Sequence, residues 1–75
     1  MSGRNNMYHE TYHPVSQETL QYTLQNKGWS PKDRETIIRE VERANQQKLR
    51  RFRVELGEHR FVEFDNGLLI NGSME

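Results

Sequence analysis

The stretch from Arg51 to Asn71, RFRVELGEHRFVEFDNGLLIN, admits few folds. Phe52, Val54 and Leu56 alternate with Arg51, Arg53 and Glu55, the period of a strand with one buried face. Gly57-Glu58-His59 breaks the alternation and reads as a three-residue hairpin loop. With Leu56 opposite Arg60, Val54 meets Val62 and Phe52 meets Phe64, while Arg53 meets Glu63 and Arg51 meets Asp65. A slip of one residue would destroy the apolar pairs and the charge pairs together, so the register is well specified. Asn66-Gly67 is the sequence of a type I′ turn, because both of its central residues take positive φ. The turn returns the chain with Phe64 opposite Leu69 and Glu63 opposite Ile70. The expectation is a three-stranded antiparallel meander.

The residues before it read as two helices. Ser16 is an N-cap, Val15 and Leu20 are placed as a hydrophobic staple, and Leu24 continues the apolar side. Gly28 is expected to end this helix in a left-handed cap, with Trp29 packing back onto Leu24. Ser30-Pro31 opens the second helix, with Asp33 completing a capping box. Ile37, Ile38, Val41, Ala44 and Leu49 form its apolar stripe, and Glu35 and Arg39 a favourable i, i+4 pair. The expected fold is α+β, ordered α-α-β-β-β, a two-helix hairpin on one face of the sheet. Residues 1–14 are expected to be a flexible leader, 15–71 a single domain, and 72–75 a short tail.

With 32% hydrophobic residues, 75 in all, the core must be thin, so a bound partner or a second copy would add stability. Formal net charge is zero and cysteine is absent, which removes disulfides and thiolate metal sites. No apolar run approaches the ~18 residues of a membrane span, and none resembles a signal sequence. A cytoplasmic location is expected.

Three patterns bear on function. His9-Glu10-Thr11-Tyr12-His13 fits H-E-x-x-H, where two histidines one helical turn apart hold zinc. Pro14 follows directly and disfavours helix at His13, so His9 and His13 are a weak zinc-binding alternative and no cofactor is expected. Lys48, Arg50, Arg51 and Arg53 are basic around the aromatic Phe52, and helices followed by a hairpin is also the element order of a winged helix-turn-helix. A nucleic-acid-binding regulator is therefore the alternative reading. Against it stand the cross-strand carboxylates and the acidic residues of the second helix. The register leaves Phe61, Leu68 and Ile70 without cover on the back of the sheet, beside an edge strand. The cover is either the leader, through Met7, Tyr8 and Tyr12, or a partner. With no nucleophile constellation and no phosphate loop, an enzyme is not expected. The favoured reading is a small regulatory, adaptor or inhibitor protein. It binds another protein, or itself as a homodimer, through Phe61, Leu68 and Ile70, with Arg53 and Glu63 at the rim.

Overall fold

The computed structural model describes residues 11–74 and has the order α1 (Gln17–Leu24), α2 (Pro31–Gln47), β1 (Arg51–Glu55), β2 (Arg60–Asp65) and β3 (Leu68–Met74). The three strands form one antiparallel sheet in the order β1-β2-β3. Both helices lie on one face of it. Val15, Leu20, Leu24 and Trp29 from the first half meet Ile37 and Val41 of α2 and Val54, Val62 and Phe64 of the sheet in a single core. Phe52 and Phe64 stack with ring centroids 5.2 Å apart. This is the α+β arrangement that the alternation and the cap residues imply.

The β1–β2 register is the expected one, from Arg51 opposite Asp65 to Val54 opposite Val62. The Leu56 and Gly57 amides both donate to the Arg60 carbonyl, at 2.8 and 3.2 Å, and close the first hairpin. Asn66 and Gly67 take φ of 50° and 87°, as the second turn requires. Phe64 faces Leu69, but Glu63 faces Asn71 rather than Ile70. Ile70 is the extra residue of a β-bulge. The reason lies beyond Asn71, because β3 runs on to Met74. Unbroken alternation would press Asn71 against buried Val62. The inserted residue instead sets Asn71 opposite Glu63 on the polar face and Gly72 opposite Val62.

The helix ends also correct two expectations. α1 stops at Leu24 with Gln25 as a right-handed cap, and Gly28 is not among the described residues with positive φ. Its amide instead donates to the Asn26 side chain at 2.9 Å. Trp29 still packs into the core, with its indole N–H donating to the Thr23 carbonyl at 3.0 Å. The left-handed cap belongs to α2. There Lys48 has φ 56°, and the Leu49 amide reaches the Ala44 carbonyl at 2.9 Å, the bond pattern of a Schellman motif. Ile37, Val41 and Ala44 are buried, but Ile38 and Leu49 lie at the solvent margin. The close ion pair on α2 is Glu40–Arg43 at 3.0 Å, not Glu35–Arg39.

Asp33 has a second task besides the capping box. The Arg60 guanidinium donates to its carboxylate at 2.6 Å and also to the Leu56 carbonyl at 2.9 Å. That bond, reinforced by the Ser30 amide, holds the Asp33 carboxyl below its ordinary pKa. The first turn of α2 is thereby fixed to the start of β2.

Candidate functional site: the flank of helix α1 and strand β3

The open face of the sheet carries Arg51, Arg53, Phe61 and Glu63. The Glu63 carboxylate sits between two guanidinium groups, 3.8 Å from Arg51 and 3.9 Å from Arg53. Arg53 also approaches Glu55 at 3.8 Å. Its guanidinium lies over the Phe61 ring, 4.2 Å from the centroid. Such a stack covers the aromatic face and is itself worth about 0.5–1 kcal/mol at an exposed site. Phe61 is therefore half-buried beneath Arg53. Of the five residues expected to form one contact surface, Arg53, Glu63 and Phe61 come together on this face as a self-contained group.

Leu68 and Ile70 are placed differently. They remain 65% and 45% exposed. Together they line a concavity of about 580 Å³ with His13, Pro14, Ser16 and Thr19. Leu68 also borders Tyr22 of α1, which is 68% exposed. Next to it a groove of about 440 Å³ runs between α1 and β3, lined by Tyr22, Trp29, Val62, Leu69 and Gly72 among others. Tyr22, Leu68 and Ile70 thus follow one another along a single flank of the molecule. Sequence reasoning passed over Tyr22. Its signal was an aromatic two positions after Leu20, off the apolar side that Leu20 and Leu24 define.

Of the expected leader, residues 11–14 are described, and they form one wall of that concavity. The Asn66 carboxamide accepts from the His13 amide at 2.8 Å and donates to the Thr11 carbonyl at 3.1 Å. The Asn45 carboxamide accepts from the Val15 amide at 3.0 Å and donates to the Val15 carbonyl at 3.1 Å. Two asparagines hold this strap by its backbone, one from the end of α2 and one from the β2–β3 turn. Tyr12 lies across the same helix end, its hydroxyl 3.5 Å from the Asn45 carbonyl. The proposed cover by Met7 and Tyr8 lies outside the described residues.

The basic run is largely neutralised. Arg51 and Arg53 share Glu63 as described, and Arg50 approaches Asp65 at 3.4 Å. Lys48 is the exposed left-handed cap of α2. Of the H-E-x-x-H match, His9 and Glu10 lie outside the described residues. Among the described residues no three His, Asp or Glu side chains gather as a metal site requires. No helix among them is long and apolar enough to cross a membrane. Comparison of the chain with protein-family models, with curated proteins and with solved structures finds no match.

Proposed function

We propose that this chain is a non-catalytic protein-binding module, a regulator or adaptor, that engages its partner through the flank of α1 and β3. The observation that carries the reading is the row of Tyr22, Leu68 and Ile70, three large apolar side chains exposed side by side next to an outer strand. Outer strands offer backbone donors and acceptors to an added strand, and neighbouring apolar pockets give selectivity. The contact differs from the one expected from sequence in its anchors. Leu68 and Ile70 stay and Tyr22 joins them, while Phe61, Arg53 and Glu63 form a separate group on the open face of the sheet.

The test is a photo-crosslinking amino acid placed at position 70 in cells, with position 38 on the outer side of α2 as control. Partner chains captured from 70, absent from 38, and lost when Leu68→Ser is added to a still-folded protein are the expected result. Equal capture from both positions refutes the reading.

Nucleic-acid binding finds less support in this geometry. Four cations, Lys48, Arg50, Arg51 and Arg53, stand among three carboxylates within ion-pair reach, Glu55, Glu63 and Asp65. A phosphate backbone would have to compete with those carboxylates for Arg50, Arg51 and Arg53.

A further inference from the structure

We infer that Asn71 is a site of spontaneous covalent modification, at which the Gly72 amide nitrogen closes on the Asn71 carboxamide carbon, expels ammonia and leaves an aspartyl or isoaspartyl residue in β3. The inference stands apart from the protein-binding reading above.

The sequence offers this chemistry twice. Asn66 and Asn71 are each followed by glycine, which has no side chain to shield its amide nitrogen. The two dipeptides are identical, so only the fold distinguishes them. At Asn71 the fold brings the reacting groups together. The Gly72 amide donates to Asn71 Oδ1 at 2.9 Å, so its nitrogen stands beside the carboxamide whose carbon it must reach. Holding two reacting groups in contact removes much of the entropic cost of their meeting. Both residues are exposed, so water enters and ammonia leaves freely. Among the described residues the Asn71 carboxamide has no other partner, and only this one bond resists its turning.

At Asn66 the fold holds the same groups apart. The carboxamide accepts from the His13 amide at 2.8 Å and donates to the Thr11 carbonyl at 3.1 Å. Both bonds must break before its carbon can turn toward Gly67.

The step balances without an oxidant or a metal. The Gly72 N–H loses its proton to water or hydroxide, the nitrogen bonds to Asn71 Cγ, the Cγ–Nδ2 bond breaks, and Nδ2 leaves as ammonia. Water then opens the five-membered imide at one of its two carbonyls. Opening at Cγ gives aspartate. Opening at the main-chain carbonyl gives isoaspartate, whose side chain has become the backbone. Residue 71 is paired with Glu63, which already engages Arg51 and Arg53, so the new carboxylate stands across the ladder from a like charge. The isoaspartyl form also adds a main-chain atom directly after the bulge at Ile70. It displaces Gly72 from Val62 and Ser73 from Phe61, and breaks the 3.0 Å bond from Ser73 Oγ to the His59 carbonyl.

The experiment holds the full chain in mildly alkaline buffer, folded and in urea, and follows both dipeptides by peptide mapping with tandem mass spectrometry. In the folded chain Asn71 is expected to convert at least about tenfold faster than Asn66, because the two strap bonds must open first. In urea the two rates converge. Gly72→Ala shields the nucleophile and slows conversion at Asn71. Its Cβ would meet the Phe61 carbonyl oxygen and Val62 Cγ1 at 3.6 Å, ordinary contact that the fold accommodates. Equal rates in the folded chain overturn the inference, as does an Asn66 that converts first, an Asn71 that converts only in urea, or a rate ratio that persists in urea. Faster amide exchange at Ser73 in the purified isoaspartyl product, with His13 unchanged, reads the local release of β3. A Ser73 amide protected as in the wild type refutes that consequence.

Discussion

Replacing Asn45 with alanine measures how much the strap contributes to the fold. The carboxamide of Asn45 makes one bond to each backbone group of Val15, at 3.0 and 3.1 Å. Val15 is 6% exposed, so water is poorly placed to take over both. Two such bonds contribute about 1–3 kcal/mol net, and the upper half applies because both Val15 groups lose their partner, so the gross loss is about 2–3 kcal/mol. Asn45 also lies in the last turn of α2, where alanine is the better helix former by about 0.6 kcal/mol. The expected net loss is about 1.5–2.5 kcal/mol, which lowers the melting temperature of so small a domain by about 6–20 °C.

Urea unfolding followed through Trp29, the single tryptophan, reads this directly. The neighbouring Gln46→Ala is exposed and serves as the propensity control. It is expected to stabilise slightly, so the difference between the two variants isolates the contacts of the Asn45 carboxamide, to Val15 and to the Tyr12 hydroxyl. Asn45→Asp supplies a second comparison. It keeps an acceptor for the Val15 amide, loses the donor for the carbonyl, and adds a negative charge at a helix C-terminus. Equal midpoints for Asn45→Ala and Gln46→Ala would refute the view that the strap is part of the folded unit.

Gly67 has φ 87°, and a Cβ there would lie 2.7 Å from the Pro14 carbonyl oxygen. Gly67→Ala is therefore expected to cost at least the ~1–2 kcal/mol of a left-handed non-glycine residue, and to loosen the strap, read as faster amide exchange at His13. Lys48 holds φ 56° without being glycine, so Lys48→Gly is expected to raise the melting temperature by a few degrees, about 0.5–1 kcal/mol. The lowered pKa of Asp33 stabilises the fold above its unfolded value of 3.8, and this contribution is lost as pH falls through the folded value. Acid titration of stability should fall less steeply below pH 3.8 for Asp33→Asn, which starts less stable at neutral pH.

The sheet was legible because two independent signals, apolar pairs and charge pairs, agree on one register from Arg51 to Asp65. Past the Asn66-Gly67 turn only Leu69 remained to fix pairing, and the bulge at Ile70 escaped. Nothing local marks it. It exists because Asn71 must stay out of the core, a requirement that appears only once β3 is known to continue. Gly28 misled for a related reason: glycine permits a left-handed cap without requiring one, and Lys48 adopts one without being glycine. Of the candidate contact surface, the exposure of Leu68 and Ile70 was legible from alternation. The cover on Phe61 was not, because Arg53 was already assigned to Glu63 and a guanidinium can serve a carboxylate and a ring together. The asparagines were silent because a carboxamide binds backbone of any sequence, so neither Asn45 nor Asn66 carries a complementary residue type to look for.

The polar ties solve a problem that the apolar stripe of α2 leaves open. Ile37, Val41 and Ala44 determine which side of the helix meets the sheet, but hydrophobic contact is non-directional. A slide of one turn, about 5.4 Å along the axis, would return a similar stripe to the same strands at modest cost. Asp33 and Asn45 stand at opposite ends of that stripe, about 18 Å apart at 1.5 Å per residue. Asp33 is bonded to Arg60 at the first hairpin, and Asn45 to Val15 at the strap, which Asn66 ties in turn to the second hairpin. A slide in either direction breaks both ties and strands a buried carboxylate or a half-buried carboxamide. Apolar residues therefore choose the face, and four polar side chains, Asp33, Arg60, Asn45 and Asn66, choose the position along it. A thin core can specify one arrangement of two helices on three strands because the second choice is made by groups whose bonds have direction.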